Sequence, residues 1–179
     1  MKNLTLLTLL LTFSLGLSAQ TVLVGGEAMF PKKDIVSNAV NSPDHTTLVA
    51  AVKAAGLVET LQGEGPFTVF APVNDAFENL PEGTVPALLK PEAKAKLQAV
   101  LTYHVIAGNY DFKALAKAIK KGGGKATLKT VQGAELTFMM NGPHNIVVAD
   151  ASGDIANIST YDVYQKNGVI QVIDRVLLP

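Results

Sequence analysis

The sequence predicts an α+β fold, with helices concentrated in the first two-thirds of the chain and strands in the last third. Three segments carry apolar residues at positions i, i+3, i+4 and i+7, which lie on one face of a helix. After Lys125 the apolar residues instead follow short runs with the period of strands. Such segregation is typical of α+β proteins, whereas regular alternation of the two elements indicates a parallel sheet.

The helical pattern predicts three helices, over residues 48–55, 97–104 and 112–119. Residues suited to helix ends flank each of these ranges. Thr46 or Thr47 can cap the first helix, and Gly56 can end it in a left-handed conformation. Pro91 suits the first turn of the second helix, and Asp111 can cap the third.

The strand-like runs are short and are separated by residues that favour turns. We predict strands over residues 67–70, 126–131, 135–140, 145–149, 155–159, 161–164 and 169–178. Asn167 and Gly168 separate the last two runs, and this dipeptide favours a hairpin turn because both residues tolerate positive φ. A shorter helix is predicted after Asn74, where Asp75 and Glu78 have the spacing of a capping box.

Composition and charge exclude several classes of protein. The 179 residues include 15 basic and 15 acidic side chains, and 48% of them are hydrophobic. This balance excludes a disordered chain and provides no basic surface for nucleic acid. The absence of cysteine excludes disulfides, thiolate zinc sites and cysteine nucleophiles. No metal or cofactor is expected.

Residues 1–19 have the character of a signal peptide. Lys2 provides a positive start, residues 4–17 form an apolar run, and Leu17-Ser18-Ala19 resembles a cleavage site. A spanning helix needs about 20 apolar residues, so an uncleaved membrane anchor is only the alternative interpretation. We therefore predict a signal peptide at 1–19, a loosely held N-terminal lead-in at 20–33 and a globular domain at 34–179. The mature protein is expected to be secreted or periplasmic, with no membrane span.

Sequence patterns typical of catalytic and metal sites are absent. Residues 122–125 (GGGK) lack the spacing of a phosphate loop and follow a predicted helix, so we interpret them as a linker. No serine lies in a Gly-x-Ser-x-Gly elbow, and His45, His104 and His144 are too far apart to form a metal-binding pair motif. Catalysis is therefore not predicted, and a hydrolase site assembled only in three dimensions is the alternative.

Three lysines form one candidate binding surface. Lys113, Lys117 and Lys120 are spaced to share one face of the third helix, opposite its apolar face. Such a face can meet an acidic polysaccharide or another anionic surface, and an ordinary solvated face is the alternative. No aromatic residue interleaves with these lysines, so stacking on nucleic acid bases is not predicted.

His104 completes the apolar stripe of the second helix and directly follows Tyr103. Its ring is therefore predicted to point inward or to lie at the edge of the core. Two interpretations follow from this position. One is a neutral histidine that is hydrogen-bonded to the backbone. The other is a recognition element at the junction between helix and strand.

Three motifs, in order along the chain, resemble signatures of the fasciclin domain family. Residues 68–77 (TVFAPVNDAF) resemble the first signature, and residues 103–108 (YHVIAG) resemble the second. Residues 167–179 are similar to the closing strand pair, and residues 34–36 match the usual opening. The resemblance thus covers residues 34–179. It implies a wedge of two antiparallel β-sheets, with about seven strands and several packed helices.

The resemblance also implies a secreted or surface-attached adhesion module rather than an enzyme. Tyr103 and His104 match the motif that is linked to cell attachment in animal members. The implied partner is a surface or matrix protein or polysaccharide, for example in a biofilm. Ala107 and Gln171 stand where many members carry proline and histidine, respectively, which leaves the fold prediction intact but weakens any transfer of function through that second histidine.

A carrier of a small apolar ligand is the alternative function. Phe138, Met139 and Met140 lie close to Gly142 and Pro143, and methionine adapts to irregularly shaped guests. A position at the edge of the core is the other interpretation of these three side chains.

Overall fold

The computed structural model describes residues 21–179, so the predicted signal peptide lies outside the described residues. The helices are α1 (Ile35–Ala39), α2 (Thr46–Ala55), α3 (Val58–Gln62), α4 (Asn74–Glu78), α5 (Thr84–Leu88), α6 (Lys94–Tyr103) and α7 (Phe112–Lys121). The strands are β1 (Val22–Val24), β2 (Glu27–Met29), β3 (Phe67–Pro72), β4 (Val105–Ala107), β5 (Lys125–Lys129), β6 (Glu135–Met140), β7 (Ile146–Ala149), β8 (Ile155–Gln165) and β9 (Gly168–Ile173). The predicted α+β class is confirmed.

Seven strands form a sheet in the order β4-β3-β9-β8-β7-β6-β5, and β1 pairs only with β2. The long strand β8 divides this sheet into two arms, with β4, β3 and β9 on one side and β7, β6 and β5 on the other. Its pairing with β9 shifts register twice between Ile158 and Val163. Irregularities of this kind bend a strand, which produces the two arms of the wedge. One pair departs from the expected antiparallel arrangement, because β3 and β9 run parallel.

Two clusters of buried side chains pack on opposite faces of β3 and β9. Along β3, Val69 and Ala71 belong to the first cluster, whereas Phe70 belongs to the second. This alternation follows from strand geometry, in which successive side chains point to opposite faces. Helices α1, α2 and α6 supply the first cluster, and α7 packs its apolar face into the second. The sheet thus separates the two halves of the core.

The N-terminal lead-in is not loosely held over residues 21–33, and this prediction is wrong. Strands β1 and β2 form a hairpin that buries Val24 and Met29 in the first cluster. The Asn38 side chain then accepts from the Phe30 N–H and donates to the Phe30 carbonyl, both at 2.9 Å. Strands of three residues are too short to show a period, so the sequence pattern gave no sign of the hairpin.

Several predicted strands have different bounds in the structure, and the largest differences are in the last three runs. The runs 155–159 and 161–164 are one strand, β8, because pairing with β9 continues past the register shifts. Strand β9 ends at Ile173 instead of residue 178. Val176 and Leu177 remain buried without belonging to a strand, which explains why their apolar character looked strand-like.

Several helix ends follow the sequence prediction. Gly56 ends α2 with φ of 71°, the left-handed conformation expected of it. At the start of α7, the Asp111 carboxylate accepts from the Ala114 N–H at 2.7 Å. The capping box predicted for Asp75 and Glu78 is not formed, since the start of α4 has no side-chain cap.

The cap of α2 comes from Asn74, not from the predicted Thr46 or Thr47. Asn74 Oδ1 accepts from the Thr47 N–H and from the Thr46 hydroxyl, at 3.1 Å in each case. Its Nδ2 donates to the Pro43 carbonyl at 2.8 Å. Asn74 lies 27 residues after the Thr47 N–H that it caps. The sequence therefore associated Asn74 with α4, the helix that begins there, and not with α2. Only the tertiary structure brings the two segments together.

Replacing Asn74 by alanine is expected to lower the free energy of unfolding by about 1–2 kcal/mol, since it removes the cap of α2. Urea unfolding of both proteins measures the difference. Asn79→Ala is the control, because Asn79 is exposed and does not cap α2. We expect the control to change stability by no more than about 0.5 kcal/mol. Equal losses in the two variants would contradict the capping role.

Candidate interaction site

Tyr103 ends α6, and its side chain is fully buried in the second cluster. Its hydroxyl donates to the Glu135 carbonyl at 2.8 Å and accepts from the Ala151 N–H at 3.0 Å. Burial raises the pKa of the Tyr103 hydroxyl, which therefore stays protonated at neutral pH. Tyr103 thus joins the end of α6 to the start of β6 and to the turn that follows β7.

His104 is also buried, with 3% of its surface exposed. Its Nδ1 lies 2.8 Å from the Val100 carbonyl, and its Nε2 accepts from the Leu177 N–H at 3.0 Å. A carbonyl can only accept, so Nδ1 carries the proton and the ring is neutral. Burial lowers the pKa of His104 to about 4, which keeps this form at neutral pH. These contacts agree with the interpretation of His104 as a neutral, backbone-bonded histidine.

His104 and Asp150 hold the end of the described chain against the domain. His104 binds the backbone of Leu177, whose side chain is fully buried. The next N–H, that of Leu178, donates to Asp150 Oδ2 at 3.1 Å. Within residues 21–179, Tyr103 exposes none of its surface and His104 only 3%. Direct contact with a partner would require the interior to open, so recognition by these two residues stays a prediction.

Gln171, one of the two positions noted above as departing from the family resemblance, is fully buried. Its Nε2 donates to Asp162 Oδ1 at 2.9 Å and to the Tyr110 carbonyl, while its Oε1 accepts from the Asp162 N–H. Asp162 has φ of 57°, and its carboxylate also accepts from the Phe112 N–H at the start of α7. A side-chain amide fits because it donates and accepts at once. Gln171 therefore supports the bend of β8.

Ala107, the other position that departs from the family pattern, is exposed at the end of β4.

Lys113, Lys117 and Lys120 are exposed on one face of α7, as the spacing predicted. We call these three residues the lysine face. Leu115 and Ile119 are buried on the opposite side of the helix. The two ion pairs found within residues 21–179 involve other residues, so the described carboxylates leave the lysine face unpaired. Its positive charge is available to an anionic partner.

The positive region continues beyond the lysine face. Lys121 ends α7, and Lys125 and Lys129 are exposed on β5, the strand at one edge of the sheet. Residues 122–124 form the turn between them, in keeping with the predicted linker. Lysines on an edge strand discourage pairing between molecules. Protection of the sheet edge therefore explains Lys125 and Lys129 on β5, and this explanation does not apply to the lysine face on α7.

A polar cleft of about 540 Å³, which sequence reasoning missed, lies beside the hairpin of β8 and β9. Residues 62–66, the hairpin and Asn109 line it. The hairpin turns at Lys166 and Asn167, one residue before the predicted position, because Gln165 pairs with Gly168. The Asn-Gly dipeptide indicated the turn, but nothing local indicated which loop packs against it.

Asn167 fixes the walls of this cleft relative to each other. Its Nδ2 donates to the carbonyls of Leu61 and Gly63 at 2.8 and 3.0 Å, and its Oδ1 accepts from the Ile35 N–H at 3.1 Å. Loop and hairpin also touch through their backbones, since a Cβ at Gly65 would overlap the Asn167 carbonyl oxygen. Hydrogen bonds and close backbone packing therefore hold the two walls of the cleft in place.

Apolar cavities near the first cluster are small. Three of them have volumes of about 40, 30 and 10 Å³. A guest such as benzene occupies a cavity of about 150 Å³, so these cavities do not fit the apolar ligand of the carrier alternative. Phe138 is fully buried against Phe70, whereas Met139 and Met140 are partly exposed, and these three residues line none of the three cavities. Phe138 therefore lies inside the core, and the core-edge interpretation fits Met139 and Met140 alone.

Two features of residues 21–179 bear on other kinds of site. They contain no group of three or more histidine, aspartate or glutamate side chains close enough to hold a metal ion. None of the helices formed by these residues combines the length and the apolar character needed to cross a membrane.

Comparison with known proteins identifies the family. The family model of the Fasciclin domain matches residues 43–179. The chain therefore belongs to the fasciclin domain family. Over 147 residues it is 46% identical to protein sll1483 of Synechocystis sp., a match that covers 81% of this chain and 73% of the relative. The family prediction made from the three motifs is confirmed.

A cell-surface protein and a solved structure are also similar to the chain. The cell surface glycolipoprotein MPB83 of Mycobacterium bovis is 35% identical over 160 residues, which cover 87% of this chain and 64% of that protein. The solved FAS1 domain pair from the insect cell adhesion molecule Fasciclin I superposes with a TM-score of 0.74 at 20% identity, covering 83% of this chain and 52% of the pair. The chain spans about half of that structure, and the likeness confirms the fold.

Proposed function

We propose that this protein is a secreted or periplasmic adhesion module, exported by means of residues 1–19, which binds a surface or matrix protein or polysaccharide. The match of residues 43–179 to the Fasciclin domain carries this proposal. The cell-surface relative and the fold of an insect cell adhesion molecule support it. Its role is binding rather than catalysis.

The lysine face is the contact surface that we propose for an anionic partner. Its three lysines are exposed and form no ion pair with a carboxylate of the described residues. Charges of one sign grouped on a surface attract and steer a partner of opposite charge. Tyr103 and His104 contribute indirectly in this proposal, because they hold the domain in shape from within.

Changing all three residues of the lysine face to glutamine is expected to reduce retention on an alginate-coated surface by about threefold to tenfold, because the charges that face the polyanion are lost. Retention of labelled protein in a flow cell measures the change. Wild-type retention is also expected to fall as salt rises, since the Debye length shortens from about 10 Å at 0.1 M to about 3 Å at 1 M.

Lys90, Lys94 and Lys96, changed together to glutamine, form the matched control. They are exposed, and the control alters net charge by the same amount as the test variant. We expect it to retain most of its binding. If both triple variants lose retention equally, net charge and not the lysine face accounts for the attraction.

A further inference from the structure

The sequence contains two Asn-Gly dipeptides, and the structure places them in opposite surroundings. Such a dipeptide is chemically reactive, because glycine has no side chain to keep its backbone nitrogen away from the carboxamide of the preceding asparagine. Asn141 and Gly142 lie in the exposed loop of residues 141–145, between β6 and β7. Asn167 and Gly168 lie in the hairpin of β8 and β9. The fold therefore decides which of the two asparagines can react.

Asn141 is exposed, and the groups needed for a reaction with Gly142 are unengaged. The loop is closed by the Asn141 N–H, which donates to the Asn145 carbonyl at 2.8 Å. Within residues 21–179, neither the Asn141 carboxamide nor the Gly142 N–H forms a hydrogen bond. Gly142 has φ of 80°, and no atom beyond its chain neighbours lies within 4 Å of the position that a Cβ would take there. The Gly142 nitrogen is thus open to the Asn141 side chain.

Asn167 is 7% exposed, and the three hydrogen bonds described above hold its carboxamide. This carboxamide cannot turn onto the Gly168 nitrogen until those bonds break. Gly168 is itself packed closely in β9, since a Cβ there would overlap the carbonyl oxygen of Phe67. The same dipeptide is therefore immobilised in the hairpin and exposed in the loop.

We propose that Asn141 is a site of spontaneous deamidation in the folded protein, and that the fold protects Asn167 from the same reaction. The Gly142 nitrogen loses its proton and bonds to Asn141 Cγ, while the side-chain nitrogen takes up a proton and leaves as ammonia. Water then opens the cyclic imide at either of its carbonyls, which gives aspartate or isoaspartate. Water is the only co-reactant, and no group is oxidised or reduced.

The modification changes the charge of the surface on which it occurs. Met139 pairs with Lys125 at the start of β5, so the loop that follows β6 lies at the end of the sheet that carries Lys125. Either product places a carboxylate there instead of a neutral amide. The site goes beyond the proposed adhesion role and involves none of the residues of the lysine face. It can therefore succeed or fail separately.

Incubation of the full chain, purified after export, at pH 8 tests the proposal by peptide mapping with tandem mass spectrometry. Trypsin cleaves after Lys129 and Lys166, which places Asn141 and Asn167 on separate peptides. A digest of protein that was not incubated gives the background. We expect Asn141 to deamidate faster than Asn167 by about tenfold or more, because three hydrogen bonds must open before Asn167 reacts. No product at Asn141, or equal rates at the two positions, would overturn the proposal.

The same incubation in guanidinium chloride shows whether the fold causes the difference. In the unfolded chain the two dipeptides are equivalent, so Asn141 and Asn167 should react at similar rates. If Asn167 stays slow after unfolding, its neighbours in the sequence and not its hydrogen bonds protect it, and the protective role of the fold is refuted.

Asn141→Gln is the variant that removes the reactive group, because the additional methylene of glutamine disfavours ring closure. Each deamidation adds a negative charge, so anion-exchange chromatography of the folded chain measures how fast the acidic product forms. We expect this product to be lost in Asn141→Gln. Asn145→Gln is the matched control in the same exposed loop, where the branched side chain of Ile146 hinders the attacking nitrogen. It should form the product like the wild type. Undiminished formation in Asn141→Gln would show that another asparagine reacts.

Discussion

Replacing Tyr103 by alanine is expected to lower the free energy of unfolding by about 4 kcal/mol, because truncation of a buried aromatic ring typically costs about 3–5 kcal/mol. The ring is fully buried, and its hydroxyl bonds two backbone groups from separate segments. Domains of this kind are stable by only about 5–15 kcal/mol. The variant should therefore unfold at a clearly lower urea concentration, as monitored by circular dichroism.

Tyr103→Phe separates the contribution of packing from that of the hydroxyl. It keeps the ring in the second cluster but leaves the Glu135 carbonyl and the Ala151 N–H without this partner. We expect a loss of about 1–3 kcal/mol for this variant. If Tyr103→Ala destabilises the protein no more than Tyr103→Phe does, packing of the ring is not the main contribution of Tyr103 to stability. A folded Tyr103→Phe protein that adheres like the wild type would support the indirect role of Tyr103.

Acid is expected to destabilise the protein through His104. Its pKa is about 4 in the folded chain, against the ordinary value of 6.5. Between these values the unfolded chain binds a proton that the folded chain excludes, so stability falls as the pH falls from about 6.5 to about 4. The expected loss is about 3 kcal/mol, and it is absent above that window. His45, whose pKa is also lowered by burial, adds a loss of the same sign.

Urea unfolding at pH 7 and at pH 4.5 measures this effect in the wild type and in His104→Gln. The variant should be less stable at pH 7, because glutamine does not reproduce both ring hydrogen bonds. It should lose clearly less stability than the wild type on acidification, since it has no group that titrates at position 104. Identical pH dependence in the two proteins would show that His104 is not the source of the acid sensitivity.

Local sequence predicted the features that depend on near neighbours along the chain. The third predicted helix is an example, since its apolar face, its exposed lysines and its Asp111 cap all follow from residues within a few turns. The inward position of His104 followed from the stripe of its own helix. These features need no knowledge of how distant segments meet.

Features created by contacts between distant segments could not be predicted in this way. Asn74 caps a helix that precedes it, and Asn167 binds the carbonyl of Leu61, 106 residues earlier. The polar cleft exists only because those two segments meet, so no local pattern indicates it. The lack of a hydrogen-bond partner for the Gln165 amide within residues 21–179 is likewise a property of the folded chain. Pattern alone therefore identified the lysine face and gave no sign of the cleft.

Strand β8 has a consequence for how the protein resists damage. It pairs with β9 in one arm and with β7 in the other, so neither arm retains a complete sheet if this strand is released. Unfolding that starts in one arm of the sheet must then pass through β8 into the other arm. Loss of structure should consequently be cooperative, with both halves melting in a single transition and no half-folded species left for a protease to cleave.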